Sequence, residues 1–142
     1  MVTLLTIRWA GLMAQTEHRT PFTGSWRLNL SKSKYNLAPP PKSARLTLKP
    51  DGSLTVDAVE ADGKPFQWSA PWSDGREVPI EGIDNGTMVA TYGRDSFDHQ
   101  IKIKGKVVAM AHGILSANGR VLTMIVRKPG STVHNIEISD RE

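Results

Sequence analysis

Apolar and polar positions alternate in short runs along most of this chain. In the first run Trp26, Leu28 and Leu30 fall on one face and Ser25, Arg27 and Asn29 on the other, the period of a half-buried strand. Similar runs follow, punctuated by Pro50-Asp51-Gly52, Ala61-Asp62-Gly63, Ser73-Asp74-Gly75 and Ala117-Asn118-Gly119. Short strands separated by Gly-containing turns at this spacing predict an all-β meander. A three-residue loop with a left-handed glycine is the register that matches apolar to apolar. It sets Leu48 opposite Leu54, Leu46 opposite Val56 and Ala44 opposite Ala58. The next turn sets Ala58 opposite Phe66, Val56 opposite Trp68 and Leu54 opposite Ala70, and the third sets Ala70 opposite Val78 and Trp68 opposite Ile80. One apolar wall therefore crosses four strands.

The second half reads the same way. Met88, Ala90 and Tyr92 share a face, as do Phe97, His99, Ile101 and Ile103. A turn at Lys104-Gly105 sets Ile101 opposite Val108, His99 opposite Met110 and Phe97 opposite His112. The Ala117-Asn118-Gly119 loop then pairs Ile114 with Leu122, His112 with Met124 and Met110 with Val126. The last run, Val133 to Asp140, has two readings. A five-residue loop before it turns His134, Ile136 and Ile138 inward, and a four-residue loop turns Asn135, Glu137 and Ser139 inward. The expectation is an antiparallel up-and-down barrel of about 8–10 strands, with the first strand free to pair with the last. Trp26 is expected to plug one end, with any ligand toward the other end near His112 and Tyr92.

Composition narrows the class. A chain of 142 residues with 39% hydrophobic and 23% charged content suits one globular domain, placed at residues 21–142. Three consecutive prolines at 39–41 forbid a helix in the connection after the first strand. With no cysteine there is no disulfide framework and no thiolate metal site. The net charge of +4 comes from cations scattered singly, so no nucleic-acid-binding run arises. Residues 1–20 read as a leader. Val2 to Ala14 is mostly apolar but Arg8 interrupts it, which excludes a membrane-spanning helix and leaves the look of a partial export signal. The expected location is periplasmic or secreted, with the cytoplasm as the alternative.

Phe22-x-Gly24-x-Trp26-Arg27-Leu28 resembles the opening strand of the calycins, the superfamily of lipocalins and fatty-acid-binding proteins. The segment 22–142 is similar to small bacterial lipocalin-like proteins, through Phe22 to Asn29, Asp74 to Pro79, Gly105 to Val108 and Ser116 to Arg120. The resemblance implies a small-ligand cavity and carries no activity. Fatty-acid-binding proteins place two lid helices where this chain has its proline loop, so a helical lid is not expected. Their interior Arg aligns with His112, and their Arg-x-Tyr pair aligns with Glu137 and Ser139, so carboxylate binding is not inherited.

The candidate chemistry follows from the inner face. Phe66, Trp68, Met88, Tyr92, Phe97, Met110 and Met124 form an aromatic and thioether lining suited to an apolar ligand. His99, His112 and Glu137 are the polar groups placed to meet it. Trp72 falls on the outer face beside Pro71. No phosphate loop, nucleophile elbow or metal-ligand spacing is present, so no cofactor and no metal are expected. Three functions remain. One is a carrier of a small hydrophobic or amphipathic molecule. Another is an envelope structural or interaction protein with a filled barrel. The last is a cofactor-free isomerase or hydrolase using His112 with a carboxylate.

Overall fold

The computed structural model describes residues 17–142. Its strands are β1 (Gly24–Leu28), β2 (Ser43–Leu48), β3 (Leu54–Val59), β4 (Pro65–Ala70), β5 (Glu77–Pro79), β6 (Gly86–Tyr92), β7 (Ser96–Ile103), β8 (Lys106–Leu115), β9 (Val121–Arg127) and β10 (His134–Arg141). They form one ten-stranded antiparallel sheet in the order β4-β3-β2-β1-β10-β9-β8-β7-β6-β5. The only helical element among the described residues is a 3-10 turn, Leu30–Lys32. β1 lies between β2 and β10, so the first strand does close the meander against the last.

The first two hairpins have the expected register, with Leu48 opposite Leu54, Ala58 opposite Phe66 and Leu54 opposite Ala70. Their three-residue loops close through Lys49 N–H to Ser53 O (2.9 Å) and Glu60 N–H to Lys64 O (2.8 Å). The third turn differs. β4 and β5 are the two edges of the sheet and do not form a hairpin. They meet only where Ser69 and Glu81 exchange backbone hydrogen bonds of 3.0 and 2.8 Å. That bridge slides the expected pairing by two residues, which preserves facing, and Ile80 is buried as its pattern requires. At this seam Gly82 has φ +95°, and a Cβ there would strike the carbonyl oxygen of Gln67.

A larger correction falls on β8. The Lys104-Gly105 turn forms as expected, with Ile103 opposite Lys106, but a bulge follows. Lys102 pairs with Val107 and Ile101 with Ala109, leaving Val108 unpaired. Downstream of the bulge every side chain exchanges faces. Ala109, Ala111 and Gly113 turn inward, while Met110 and His112 turn outward. The next loop is one residue longer than expected, because Ser116 N–H bonds Val121 O (2.9 Å) and Arg120 joins the loop. The two one-residue changes cancel, so Leu122, Met124 and Val126 face inward as read from the sequence. The final loop spans residues 128–133, and its parity turns Asn135, Glu137 and Ser139 inward opposite Val126, Met124 and Leu122.

Strand alternation puts the turns at 50–52, 73–75, 93–95 and 116–120 at one end, here the base. The base is solid. Phe22, Trp26, Leu48, Leu54, Phe97 and Leu122 are each no more than 2% exposed. Trp26 donates its indole N–H to Phe22 O (2.9 Å), and the Arg141 guanidinium lies 4.2 Å over its ring. Arg141 then donates to Gly119 O, Thr23 O and Pro21 O, each at 2.8 Å. Gly24 makes room for this plug: its φ is +134°, and a Cβ would sit 2.9 Å from Arg141 Nη1. His18, within the stretch read as leader, donates its backbone N–H to Pro50 O (2.8 Å) and stacks on Trp72. Trp72 in turn stacks on Tyr92, so it seals the base instead of standing on the outer face. The remaining leader positions, 1–16, lie outside the described residues.

Candidate functional site

At the opposite end, the mouth, the inner wall is less enclosed. Leu46, Val56, Phe66, Trp68, Ile101 and Val126 point toward the barrel axis by register yet remain only partly buried. Apolar side chains aimed inward and still in reach of solvent are what a ligand-sized recess would present. The loop at 33–42 runs beside this mouth. Lys34 and Ile136 exchange backbone bonds of 2.8 and 2.9 Å, which continues β10's pairing beyond β1. Because Lys34 pairs with the outward Ile136, its neighbour Tyr35 turns inward.

The expected site residues divide into three groups. Phe66, Trp68, Met124 and Glu137 line the partly open region. Met88 and Phe97 face inward but are 1% exposed and belong to the packed core. Tyr92 and His99 also face inward, toward the base. Tyr92 lies 6.3 Å from Phe22, ring to ring, and His99 stacks at 4.4 Å on Phe97. The expectation that Tyr92 stands at the end away from Trp26 is therefore corrected. Met110 and His112 are corrected too, since the β8 bulge puts both on the outer surface. There His112 Nδ1 lies 2.8 Å from Asp98 Oδ1, with side-chain exposures of 44% and 67%. A polar contact this exposed contributes little, and a histidine outside the barrel cannot serve as an interior base. His99 and His112 are on opposite faces, and no metal-holding cluster of three or more groups occurs among the described residues.

The inner polar groups have distinct environments. Tyr92 OH and His99 Nε2 are 2.9 Å apart. Burial pushes the His99 pKa down to about 4, against a weaker upward pull from Asp98. Burial also raises the Tyr92 phenol. Glu137 is raised above the usual carboxylate range by burial, with a hydrogen bond from Asn135 acting the other way. Tyr35 is raised by its own burial first and by the nearby Glu137 charge second. Asn135 Oδ1 accepts from the N–H groups of Asn36 (2.8 Å) and Leu37 (3.0 Å), and its Nδ2 points to Glu137 Oε2 at 3.4 Å. Sequence reading missed Tyr35 and the anchoring role of Asn135.

The histidine predicts a pH response. The unfolded His99 protonates near 6.5 while the folded one resists protonation down to about 4. Stability is therefore lost as pH falls through that window, by on the order of 3 kcal/mol, and flattens below it. Glu137, raised by burial, acts in the opposite sense on falling pH. The readout is thus the difference between wild type and His99→Gln in urea midpoint at pH 7 and pH 4.5. The variant should lose less stability on acidification; an equal loss would contradict the buried neutral imidazole.

Two depressions mark the surface. One of about 760 Å³ is flanked by the outward-facing Arg27, Arg45, Asp57 and Gln67. Here Glu142 already bonds Arg45 Nε (2.5 Å) and Arg27 Nη2 (3.1 Å). The other, about 460 Å³, lies beside Asp98, His112, Met110 and Arg127. The first also reaches the inward-facing Leu28, Ala44, Ala58 and Phe66, and the second the inward-facing His99 and Ala111; neither includes Trp68 or Glu137.

An up-and-down ten-stranded sheet, sealed at the base and nearly closed at one seam, has a close counterpart among solved structures. The fluorescent protein UnaG superposes with a TM-score of 0.57 at 15% identity, over 85% of this chain and 97% of that one. Two single-substitution variants of UnaG superpose with TM-scores of 0.56 at 14% and 16% identity, over 86% and 84% of this chain and 96% and 95% of theirs. The fold is calycin-like. No family model matches the chain, and no curated protein does. Between β1 and β2 this barrel carries the 3-10 turn Leu30–Lys32 and the extended loop 33–42, held by Asn135 and Ile136.

Proposed function

We propose that this barrel binds a small hydrophobic or amphipathic molecule at its mouth end, as a carrier or sequestering protein. The observation that carries the reading is the contrast between the two ends. At the base Phe22, Trp26, Leu48, Leu54, Phe97 and Leu122 are excluded from solvent, while Leu46, Val56, Phe66 and Trp68 are not. Packing alone would bury both sets, because partly exposed inward apolar groups forfeit transfer free energy of roughly 25 cal/mol per Å² left in water. A bound apolar ligand recovers it. The fold likeness to UnaG supports a barrel able to enclose a molecule, at the level of architecture.

Ala111 provides the test. It faces inward between His99 and Val126 and is only partly buried, so a larger side chain there would project toward the barrel axis. Ala111→Phe should abolish binding of a neutral apolar dye such as Nile red, with an unchanged far-ultraviolet circular dichroism spectrum. Native mass spectrometry of the wild type from its own cells should show a co-purified mass that the variant lacks. Dye binding undiminished in a folded variant would move the site out of the barrel.

A further inference from the structure

We propose that the ligand is an amphipathic amine, with its ammonium held by Glu137 and its apolar body against the half-buried inner wall. The inference rests on the barrel-binding reading above and adds the chemistry of the head group. Glu137 faces inward opposite Met124, because the parity of β10 puts Ile136 and Ile138 outside. Its carboxylate forms no ion pair with any described residue, and its one hydrogen-bond donor, Asn135 Nδ2, is distant at 3.4 Å. A carboxylate in an apolar enclosure without a cation is costly unless something completes it.

The carboxylate is also held in place. The Asn135 amide is fixed by the two N–H groups of the mouth loop on its oxygen, so its nitrogen is directed at Glu137. Tyr35 approaches from the same loop, close enough for the Glu137 charge to act on its phenol. The carboxylate and the phenol oxygen make an acceptor site for an N–H-bearing cation, while the amide, donating to the carboxylate, holds it in place. The charge around it excludes the opposite ligand class. Arg141 is the arginine that faces inward at the base, and its guanidinium is already committed to three carbonyls and the Trp26 ring. An anionic head placed beside Glu137 would meet like charge with nothing to offset it.

The test is calorimetric titration of the full chain at pH 7.5 with decylamine, decanol and decanoate, three heads on one tail length. Decylamine should bind at least tenfold tighter than decanol, and decanoate most weakly. Glu137→Gln, which keeps the shape and loses the charge, should bring the decylamine-over-decanol ratio from at least tenfold to near one. This variant should unfold at no lower a temperature than wild type, since it removes a buried charge. Decylamine no tighter than decanol, or an amine advantage that survives Glu137→Gln, overturns the head-group assignment while leaving barrel binding intact. Failure of all three to bind overturns both.

Discussion

Trp26→Ala is expected to destabilise the protein by about 3–5 kcal/mol, read as a lower urea midpoint with an unchanged denaturant slope. Trp26 is fully buried, so the substitution opens a cavity at the centre of the base. It also strands two groups. Phe22 O loses its indole donor, and the Arg141 guanidinium loses the ring beneath it. Phe22 packs edge-on at 4.9 Å against Phe97, so the loss spreads to the aromatic cluster under β6 and β7. Trp26→Phe keeps a ring under Arg141 but not the hydrogen bond, and should cost less than half as much. A loss below 1 kcal/mol for the alanine variant would show that the base is not the principal core. This magnitude is a large share of the 5–15 kcal/mol that holds an ordinary domain folded.

The second large effect is expected at the seam. Gly82→Val forces a β-branched residue to φ +95° and drives its Cβ into the Gln67 carbonyl, which is backbone and cannot swing aside. Strain and overpacking together should cost roughly 2–5 kcal/mol. The damage should be local first. Hydrogen exchange ought to quicken at the Ser69 and Glu81 amides, whose mutual bonds are the closure between β4 and β5. Uniform loss of protection across all strands, with none concentrated at these two amides, would argue against a weak seam. Since the mouth wall includes Trp68 on β4, the same variant should also weaken ligand uptake more than its stability loss alone explains.

Much of this architecture is legible in the chain. The β2–β4 registers follow from apolar matching because one-residue slips there would expose Leu46, Val56 and Trp68 at once. β8 defeated the same logic. Both of its faces are apolar, with Val108, Met110 and Ile114 on one and Ala109, Ala111 and Leu115 on the other, so alternation alone does not choose. The deciding contact is long-range. The Phe97 ring occupies the space a side chain at position 113 would need, and Gly113 is the residue that yields it. A large ring opposite a run of small residues was the available cue. Missing it put His112 inside the barrel and suggested a catalytic role that its outward position removes. The site at Glu137 was half legible. Its residue was singled out, but its facing depended on a loop whose length no local pattern specified, and Tyr35 entered through pairing between Lys34 and Ile136.

The neighbouring positions of β1 and β10 bear on how the molecule is made. The pairing of the first strand with the last joins Trp26 to Arg141, residues far apart in the chain. Until β10 emerges, β1 and β9 each present an unsatisfied edge, and the tryptophan at the base has no guanidinium above it. The hairpins β2–β4 and β6–β9 have local partners and are able to form during translation, but the barrel has to wait for its final strand. Before β10 pairs, the chain therefore consists of two curved half-sheets, whose apolar inner faces would need a holding chaperone or rapid closure to avoid pairing with another chain.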